Sequence, residues 1–183
     1  MDQSVVIAFY TWVSASPFLT SLTVAVAQDG LFLLPVALVL LWLWPSSAQP
    51  WCRHAVLASV LAGALAVLLV LVLEHLFSRP RPFVTLELAP LFPHPRDSSF
   101  PSDHAFIGFA LTLPILWRLP RLGLGLTLWA LLVGVARVAA GIHYPTDILG
   151  SALIALAPSA VGLRIEPLVL ARLPLLRSRA RST

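Results

Sequence analysis

The sequence predicts an all-α membrane protein, a bundle of five or six spanning helices that forms a single domain over residues 1–183. Hydrophobic residues make up 58% of the chain and charged residues only 11%, and the mean hydropathy is +0.90. A soluble domain carries roughly twice that charged fraction. Packing in water cannot bury so much apolar surface, so the chain is expected to lie in a bilayer.

The N-terminal third is the least regular part of the apolar pattern. Residues 3–28 are interrupted by Pro17 and several hydroxyl side chains. They predict either one irregular span or an interfacial helix followed by a half-span. Gln28-Asp29-Gly30 has the composition of a turn. Residues 30–44 are apolar but short, and Pro45 ends them.

The remaining apolar runs predict the rest of the bundle. Residues 54–77 reach the length of about 20 residues that crosses a bilayer. Further candidate spans are 103–117, 121–140 and 146–164. Residues 78–101 form the only long polar connection, which is rich in Arg, His and Asp. Loops of this length are usually functional or disordered, so this one is predicted to be an active-site loop.

The arginines predict the orientation, since all twelve basic residues are Arg. The larger set lies at alternate segment ends and in the basic tail 165–183, as in cytoplasmic loops. It comprises Arg53, Arg118, Arg121, Arg164, Arg172, Arg177, Arg179 and Arg181. The smaller set falls within polar motifs, so the active face is predicted to be periplasmic or extracellular. A nucleic-acid binder would show a basic stripe on a soluble fold, so no nucleic-acid partner is expected.

One polar motif combines Arg137 with His143 and Asp147 around the start of a helix. Pro145 suits the first turn of that helix, because its missing N–H is not needed there. A separation of four residues places His143 and Asp147 on one face if the helix begins early enough. Asp147 can then accept from one imidazole nitrogen and leave the other free to attack. The motif predicts a histidine nucleophile.

A second motif, Pro101-Ser102-Asp103-His104, directly precedes another apolar helix. Ser102 is a natural N-cap, and free N–H groups at a helix start bind anionic oxygen. His104 in the first turn can donate a proton to a leaving oxygen. The motif predicts an anion site beside a general acid.

A third motif, Arg79-Pro80-Arg81-Pro82, opens the polar loop. Arginine forks match phosphate oxygens in bidentate geometry. The prolines prevent the helix from continuing and stiffen the loop. The motif therefore predicts phosphate-binding arginines at the membrane edge.

Taken together, these motifs resemble those of the type 2 phosphatidic acid phosphatase superfamily. The family shows Lys-x6-Arg-Pro, Pro-Ser-Gly-His and Ser-Arg-x5-His-x3-Asp. The matching residues here are Arg81-Pro82, then Pro101, Ser102 and His104, then Arg137, His143 and Asp147. Glu74, Asp103 and Ala136 replace the family Lys, Gly and Ser. The run from Asp97 to His104 is similar to the bacitracin-resistance type of undecaprenyl-diphosphate phosphatase, which also carries an aspartate in place of the glycine.

The resemblance implies a two-step displacement on a lipid phosphate in the bacterial plasma membrane. His143 would attack phosphorus, Asp147 would stabilise the imidazolium, and His104 would protonate the leaving group and later activate water. The expected phosphate-binding set is Arg81, Arg137, Ser102, Arg79 and Asp103. No metal or other cofactor is expected, because the arginines carry the charge and no acidic cluster suits Mg²⁺.

The lysine replacement leaves part of the phosphate site to be assigned. Glu74 cannot bind phosphate, so Arg79 or Arg96 is expected to take over that contact. An acid within the membrane is functional by default, so Glu74 is expected to bind one of the phosphate-contacting arginines.

The favoured substrate is undecaprenyl diphosphate. The first alternative is phosphatidylglycerophosphate, phosphatidate or another lipid phosphate. Two further alternatives are a non-catalytic lipid-binding or transport protein on the same frame, and a vanadate-dependent oxidase. The sequence leaves the oligomeric state open.

Overall fold

The computed structural model describes residues 1–44 and 49–172, and these ranges form nine α-helices without a strand. The predicted all-α class is confirmed. The end of the predicted tail, 173–183, and the loop that begins at Pro45 lie outside the described residues. The helices are α1 Asp2–Ser14, α2 Pro17–Asp29, α3 Leu33–Leu43, α4 Gln49–Leu76, α5 Pro82–Thr85, α6 Asp103–Arg118, α7 Pro120–Ala139, α8 Pro145–Ile154 and α9 Leu156–Arg172.

Four helical segments among the described residues are long and apolar enough to cross a bilayer. They are Pro17–Leu43, Trp51–Leu76, Pro120–Ala139 and Pro145–Arg172. α6 has 16 residues, which span about 24 Å at 1.5 Å per residue. It packs against α4 and α7 as a further apolar helix of the bundle. The total of five or six spans stays a prediction.

The break in the N-terminal region lies at Pro17, one of the residues that interrupt the apolar pattern of the sequence. Ser16 is extended (φ −132°, ψ 122°), and Pro17 begins α2. The turn predicted at residues 28–30 is wrong, because a 3-10 turn there continues the helix and joins α2 to α3. Gly30 keeps helical angles (φ −58°, ψ −29°), and its carbonyl accepts from Trp129 Nε1 at 2.8 Å. Glycine serves close packing here rather than chain reversal.

Small residues allow α4 and α9 to approach closely. Ala58, Ala62 and Ala66 are fully buried on α4. A Cβ atom added at Gly162 of α9 would lie 2.4 Å from the carbonyl oxygen of Ala58. Close contact between small residues is a common way for helices to associate in membranes. This packing makes α4 and α9 one wall of the bundle.

A buried ionic cluster joins three helices at the bundle end away from the polar loop. Glu166 of α9 is fully buried. Its Oε1 lies 2.5 Å from His54 Nδ1 on α4, and its Oε2 accepts from Arg118 Nη2 on α6 at 2.9 Å. A buried charge is tolerated only when it is paired, so this cluster is expected to fix the three helices relative to one another.

Replacing Glu166 by alanine is expected to destabilise the fold by about 2 kcal/mol. Breaking a buried ion pair typically costs more than this, but Arg118 and His54 reach the surface and are screened there. Thermal unfolding in detergent measures the effect, with Asp29→Ala, an exposed helical acid, as the control. An unchanged melting temperature for Glu166→Ala would show that the cluster does not hold the helices together.

The polar loop lies across the opposite end of the bundle, where it meets the α7–α8 turn. The N–H of Phe83 donates to the carbonyl of Gly141 at 2.9 Å, and the N–H of Leu91 donates to that of Ala140 at 3.3 Å. Two segments that are distant in sequence are thereby joined through their backbones. Their side chains form the candidate site.

Candidate active site

The turn between α7 and α8 determines where the histidine lies. Gly141 has a left-handed conformation (φ 78°) that favours glycine. Its N–H donates to the carbonyl of Val138 at 3.0 Å, and the N–H of Ile142 donates to that of Arg137 at 3.2 Å. These bonds close the end of α7 and reverse the chain. As a result, His143 lies beside the end of the helix that carries Arg137.

His143 lies at the centre of the site and is fully buried. Its Nδ1 is 2.8 Å from the carbonyl oxygen of Ser99. A carbonyl can only accept, so this contact assigns the proton to Nδ1 and leaves Nε2 unprotonated. Nε2 lies 3.1 Å from Nη1 of Arg81. The unprotonated nitrogen therefore accepts a hydrogen bond from a group that is also suited to holding an anionic substrate.

The carboxylate of Asp147 is buried beside this ring. Its Oδ2 accepts the backbone N–H of Tyr144 at 2.7 Å, and its Oδ1 accepts from Arg79 Nη1 at 2.6 Å. Oδ2 lies 3.7 Å from His143 Nδ1, which allows charge attraction but is too long for a hydrogen bond. The sequence predicts that Asp147 accepts the hydrogen bond from the imidazole N–H, whereas in the structure the carbonyl of Ser99 accepts it. The hydrogen bonds from Tyr144 and Arg79 keep the Asp147 carboxylate beyond hydrogen-bonding distance of His143 Nδ1.

Two buried arginines, Arg81 and Arg137, flank the histidine. Nε of Arg81 donates to Asp97 Oδ1 at 2.7 Å. Nη1 of Arg137 donates to the carbonyl of Ala27 at 3.0 Å, and its Nη2 donates to Asp103 Oδ1 at 3.2 Å. The Nε atom of Arg137 is buried without a hydrogen-bond partner among the described residues. The two guanidinium groups are thus held in place and supply charge for an anion.

The start of α6 provides further groups for an anion. Ser102 occupies the N-cap position and is fully buried, but its side chain makes no capping bond. Its Oγ has no partner within the described part of the chain. That hydroxyl, with the first N–H groups of α6, can bind an anionic oxygen. His104 follows in the first turn, with its Nδ1 3.1 Å from Asp103 Oδ2.

Arg79 and Asp103 lie differently from the other predicted phosphate-binding residues. The guanidinium of Arg79 is engaged with carboxylates, including that of Asp147, rather than turned toward the histidine. Asp103 lies between Arg137 and His104, with one carboxylate oxygen near each. A carboxylate repels phosphate, so this position suits the orientation of its two neighbours better than direct contact with a substrate.

The expected partner of Glu74 is not found. Glu74 is half-buried near the end of α4 and forms no ion pair with any described arginine. Arg96 is exposed and lines a surface cavity with Glu87 and His94. The expectation that Glu74 binds a phosphate-contacting arginine is therefore wrong.

Four residues of the site escape sequence reasoning, namely Asp2, His94, Asp97 and Ser99. His94 Nε2 lies 3.3 Å from Arg137 Nη2, and its ring centroid is 6.4 Å from that of the buried histidine. The polar composition of the loop indicated that some of its residues are functional, but no spacing rule assigns a contact to each. No sequence signal marks Asp2, whose position depends on how the first helix packs.

The surroundings of His143 and His94 favour neutral rings. Burial is the main cause that lowers the pKa of His143, to about 4; Arg137 and Arg81 act in the same direction, and Asp147 acts against them. Burial, followed by the charge of Arg81, also lowers the pKa of His94. His143 is therefore neutral at pH 7, which is the form that a nucleophile requires.

A pH profile is expected to show this. Protonation removes the lone pair of His143 Nε2, so kcat/KM should fall only when the pH drops toward 4, the lowered pKa of this ring. The free histidine value of about 6.5 would place the same fall more than two units higher. The measurement is kcat/KM against pH, corrected for ionisation of the substrate phosphate. A midpoint near 6.5 would contradict the assigned state of His143.

The chemistry of the site rests on histidines, arginines and carboxylates. Within residues 1–44 and 49–172, no three His, Cys, Asp or Glu side chains converge as a metal site.

The model of the PAP2 superfamily matches residues 55–168, a range that contains all three motifs. The chain belongs to the PAP2 superfamily. The resemblance inferred from the motifs is thereby confirmed.

Curated PAP2 relatives give this membership more detail. The chain is 31% identical over 138 residues to undecaprenyl-diphosphatase BcrC of Bacillus subtilis (strain 168), covering 75% of this chain and 70% of the relative. It is 34% identical over 140 residues to the putative undecaprenyl-diphosphatase YbjG of Escherichia coli (strain K12), covering 76% and 69%. These relatives support a phosphatase hydrolase in a membrane.

Solved PAP2 structures share the fold. LpxE of Aquifex aeolicus superimposes with a TM-score of 0.68 at 28% identity, covering 86% of this chain and 93% of that one. A PAP2-type phosphatidylglycerolphosphate phosphatase from Bacillus subtilis gives a TM-score of 0.62 at 23% identity, covering 91% and 84%. The helical bundle described above is therefore that of a multi-pass membrane PAP2 protein.

Proposed function

We propose that the chain is a metal-independent lipid diphosphate phosphatase that converts undecaprenyl diphosphate to undecaprenyl phosphate and inorganic phosphate. The observation that carries the proposal is the buried His143, whose unprotonated Nε2 lies 3.1 Å from Nη1 of Arg81 while its Nδ1–H donates to the carbonyl of Ser99. The names of the two curated relatives support the diphosphate of a polyprenol as the substrate.

In the first step, Nε2 of His143 attacks the terminal phosphorus and the anhydride P–O bond breaks. The lipid phosphate leaves with a proton from His104. Nδ1 keeps its proton, so the phosphohistidine ring is cationic, and the buried carboxylate of Asp147 stabilises it. The neutral ring thus becomes charged only when the reaction needs it.

Arg81, Arg137 and Ser102, with the N–H groups at the start of α6, surround the transferring phosphoryl group. Charge spreads over its three equatorial oxygens in the transition state, where preorganised donors have their largest effect. In the second step, His104 takes a proton from water, the oxygen of that water attacks phosphorus, and the P–N bond breaks. Inorganic phosphate departs and His143 is neutral again.

Phosphate release by the purified protein in detergent with EDTA tests this proposal. The substrates are undecaprenyl diphosphate, farnesyl diphosphate, phosphatidylglycerophosphate and phosphatidate. A clear preference for the two prenyl diphosphates is expected. Preference for the glycerolipids would retain the mechanism and reassign the substrate. The absence of release from any of them would favour a non-catalytic lipid-binding or transport protein.

The proposed location is the bacterial plasma membrane, with the site facing the exterior, as the arginine distribution favours. Arg96 is exposed beside the site, so Arg96→Cys in a Cys52→Ser background provides a single reporter thiol. An impermeant maleimide should label it on intact spheroplasts. Labelling only after the membrane is permeabilised would reverse the orientation.

A further inference from the structure

α1 reaches the active site from the far end of the sequence. Asp2, in its first turn, accepts a hydrogen bond from Nη2 of Arg79 at 2.7 Å. Asp2 Oδ1 also accepts the backbone N–H of Thr146 at 3.2 Å, and Oδ2 contacts the Thr146 hydroxyl. The carboxylate thus binds both an arginine of the polar loop and the first turn of α8, the helix that carries Asp147.

Arg79 forms the link between two carboxylates. One terminal nitrogen, Nη2, bonds Asp2, and the other, Nη1, bonds Asp147 at 2.6 Å and Thr146 Oγ1 at 2.8 Å. The guanidinium carbon lies 4.1 Å from the centre of the Tyr144 ring. Bonds on both sides and a ring against one face restrict a planar group to one orientation.

The charges of this chain of contacts matter as well as its geometry. Burial alone would lower the pKa of Arg79, but its bonds to Asp2 and Asp147 raise it, so the guanidinium stays charged. Because Asp2 shares that charge, Asp147 is not fully neutralised by its arginine. It can still stabilise positive charge on the neighbouring His143, 3.7 Å away.

A second contact attaches α1 to the same end of the bundle. The hydroxyl of Tyr10 donates to the carbonyl of Ala89 in the polar loop at 2.7 Å. Its ring also packs where a side chain at Gly141 would lie, at 3.5 Å. α1 therefore touches both segments that carry the site, and its contact through Asp2 leads to the histidine.

We propose that Asp2 is a positioning residue of the active site, which acts through Arg79 to hold the Asp147 carboxylate in the orientation that supports His143. This inference rests on the proposed function, since it concerns the same reaction. It gives Arg79 a role beside the carboxylate instead of on the phosphate. It also makes α1 part of the catalytic assembly.

The test is steady-state kinetics of Asp2→Asn with a prenyl diphosphate in detergent. Loss of this charge is expected to lower kcat about tenfold and to change KM by less than about twofold, because Asp147 acts on the transition state. Asp2→Glu should recover most of the rate. Gln3→Ala, beside Asp2 on the wall of the same cavity, should match the wild type.

A double-mutant cycle separates this role from simple support of the fold. If Asp2 acts through Arg79, Asp2→Asn should cost little further kcat once Arg79→Ala is present. Additive losses, an unchanged kcat in Asp2→Asn, or a loss that only follows the fraction of unfolded protein would each overturn the inference.

The proposed function can fail independently of this network. In that case the wild type would release no phosphate from any lipid. The wild type, Asp2→Asn, Arg79→Ala and the double variant would then be compared by thermal unfolding. Non-additive shifts in melting temperature would support the coupling of Asp2 and Arg79. Additive shifts would overturn it.

Discussion

His143→Ala is expected to lower kcat by about 10⁴-fold or more, because it removes the atom that bonds to phosphorus in the proposed mechanism. The ring is buried, so the variant must be shown to fold. Size-exclusion chromatography and thermal unfolding in detergent provide that control. Phosphate release from a prenyl diphosphate is the measurement.

The matched control for this variant is His75→Ala. His75 is an exposed histidine in the last turn of α4, where its Nδ1 contacts the carbonyl of Leu71 at 2.7 Å. The His75→Ala variant is expected to keep wild-type turnover. Substantial release by folded His143→Ala would mean that another group attacks phosphorus, and the assignment of the nucleophile would be wrong.

Arg81→Ala is expected to lower kcat by about 10²–10³-fold. The Nη1 atom of Arg81 lies 3.1 Å from Nε2 of His143, so this guanidinium is next to the position where charge develops in the transition state. Removal of one preorganised donor at such a position typically has an effect of this size. Turnover and KM for a prenyl diphosphate provide the measurement.

Two further variants make the result for Arg81 specific. Arg81→Lys keeps the charge but loses the fork and the bond from Nε to Asp97, so it should restore only part of the rate. Arg121→Ala, an exposed arginine at the other end of the bundle, should be neutral. A change in KM alone would show that Arg81 binds the ground state and the transition state equally.

The proposed catalytic residues were predictable from the sequence because local spacing constrains them. Pro145 begins α8, and Asp147 lies in its first turn. Arg137 lies in the last turn of the preceding helix, so the intervening turn has to bring these residues and His143 together. Motif spacing can predict contacts of this kind, because few turn geometries connect two helices through so short a segment.

Contacts between distant segments were not predictable in the same way. Ser99 accepts the Nδ1 proton of His143 from 44 residues away, and Arg79 binds Asp2 from 77 residues away. No periodicity or motif encodes such pairs, since they depend on how the polar loop and α1 pack. For this reason the sequence predicted Asp147, which is close to His143 in the chain, as the acceptor of the imidazole N–H.

The bounds of the helices likewise depend partly on local sequence, which can be predicted, and partly on tertiary packing, which cannot. Apolar length predicted the helix Pro120–Ala139 to within one residue of its observed bounds. The prediction failed at Gly30, where the residue types, including Asp29 and the glycine, indicated a turn. Burial against Val133 and the bond from Trp129 keep that segment helical. Tertiary packing overrode the local propensity.

The most direct test of the account is to trap the covalent intermediate. Wild-type protein and His143→Ala are mixed with a prenyl diphosphate labelled on its terminal phosphate and are quenched within milliseconds. A label is expected on the peptide that contains His143 in the wild type, stable in alkali and lost in acid, as a phosphoramidate bond requires. It should be absent from the variant. Rapid phosphate release by the wild type without any labelled protein would mean that water attacks directly, and would contradict the central role given to His143.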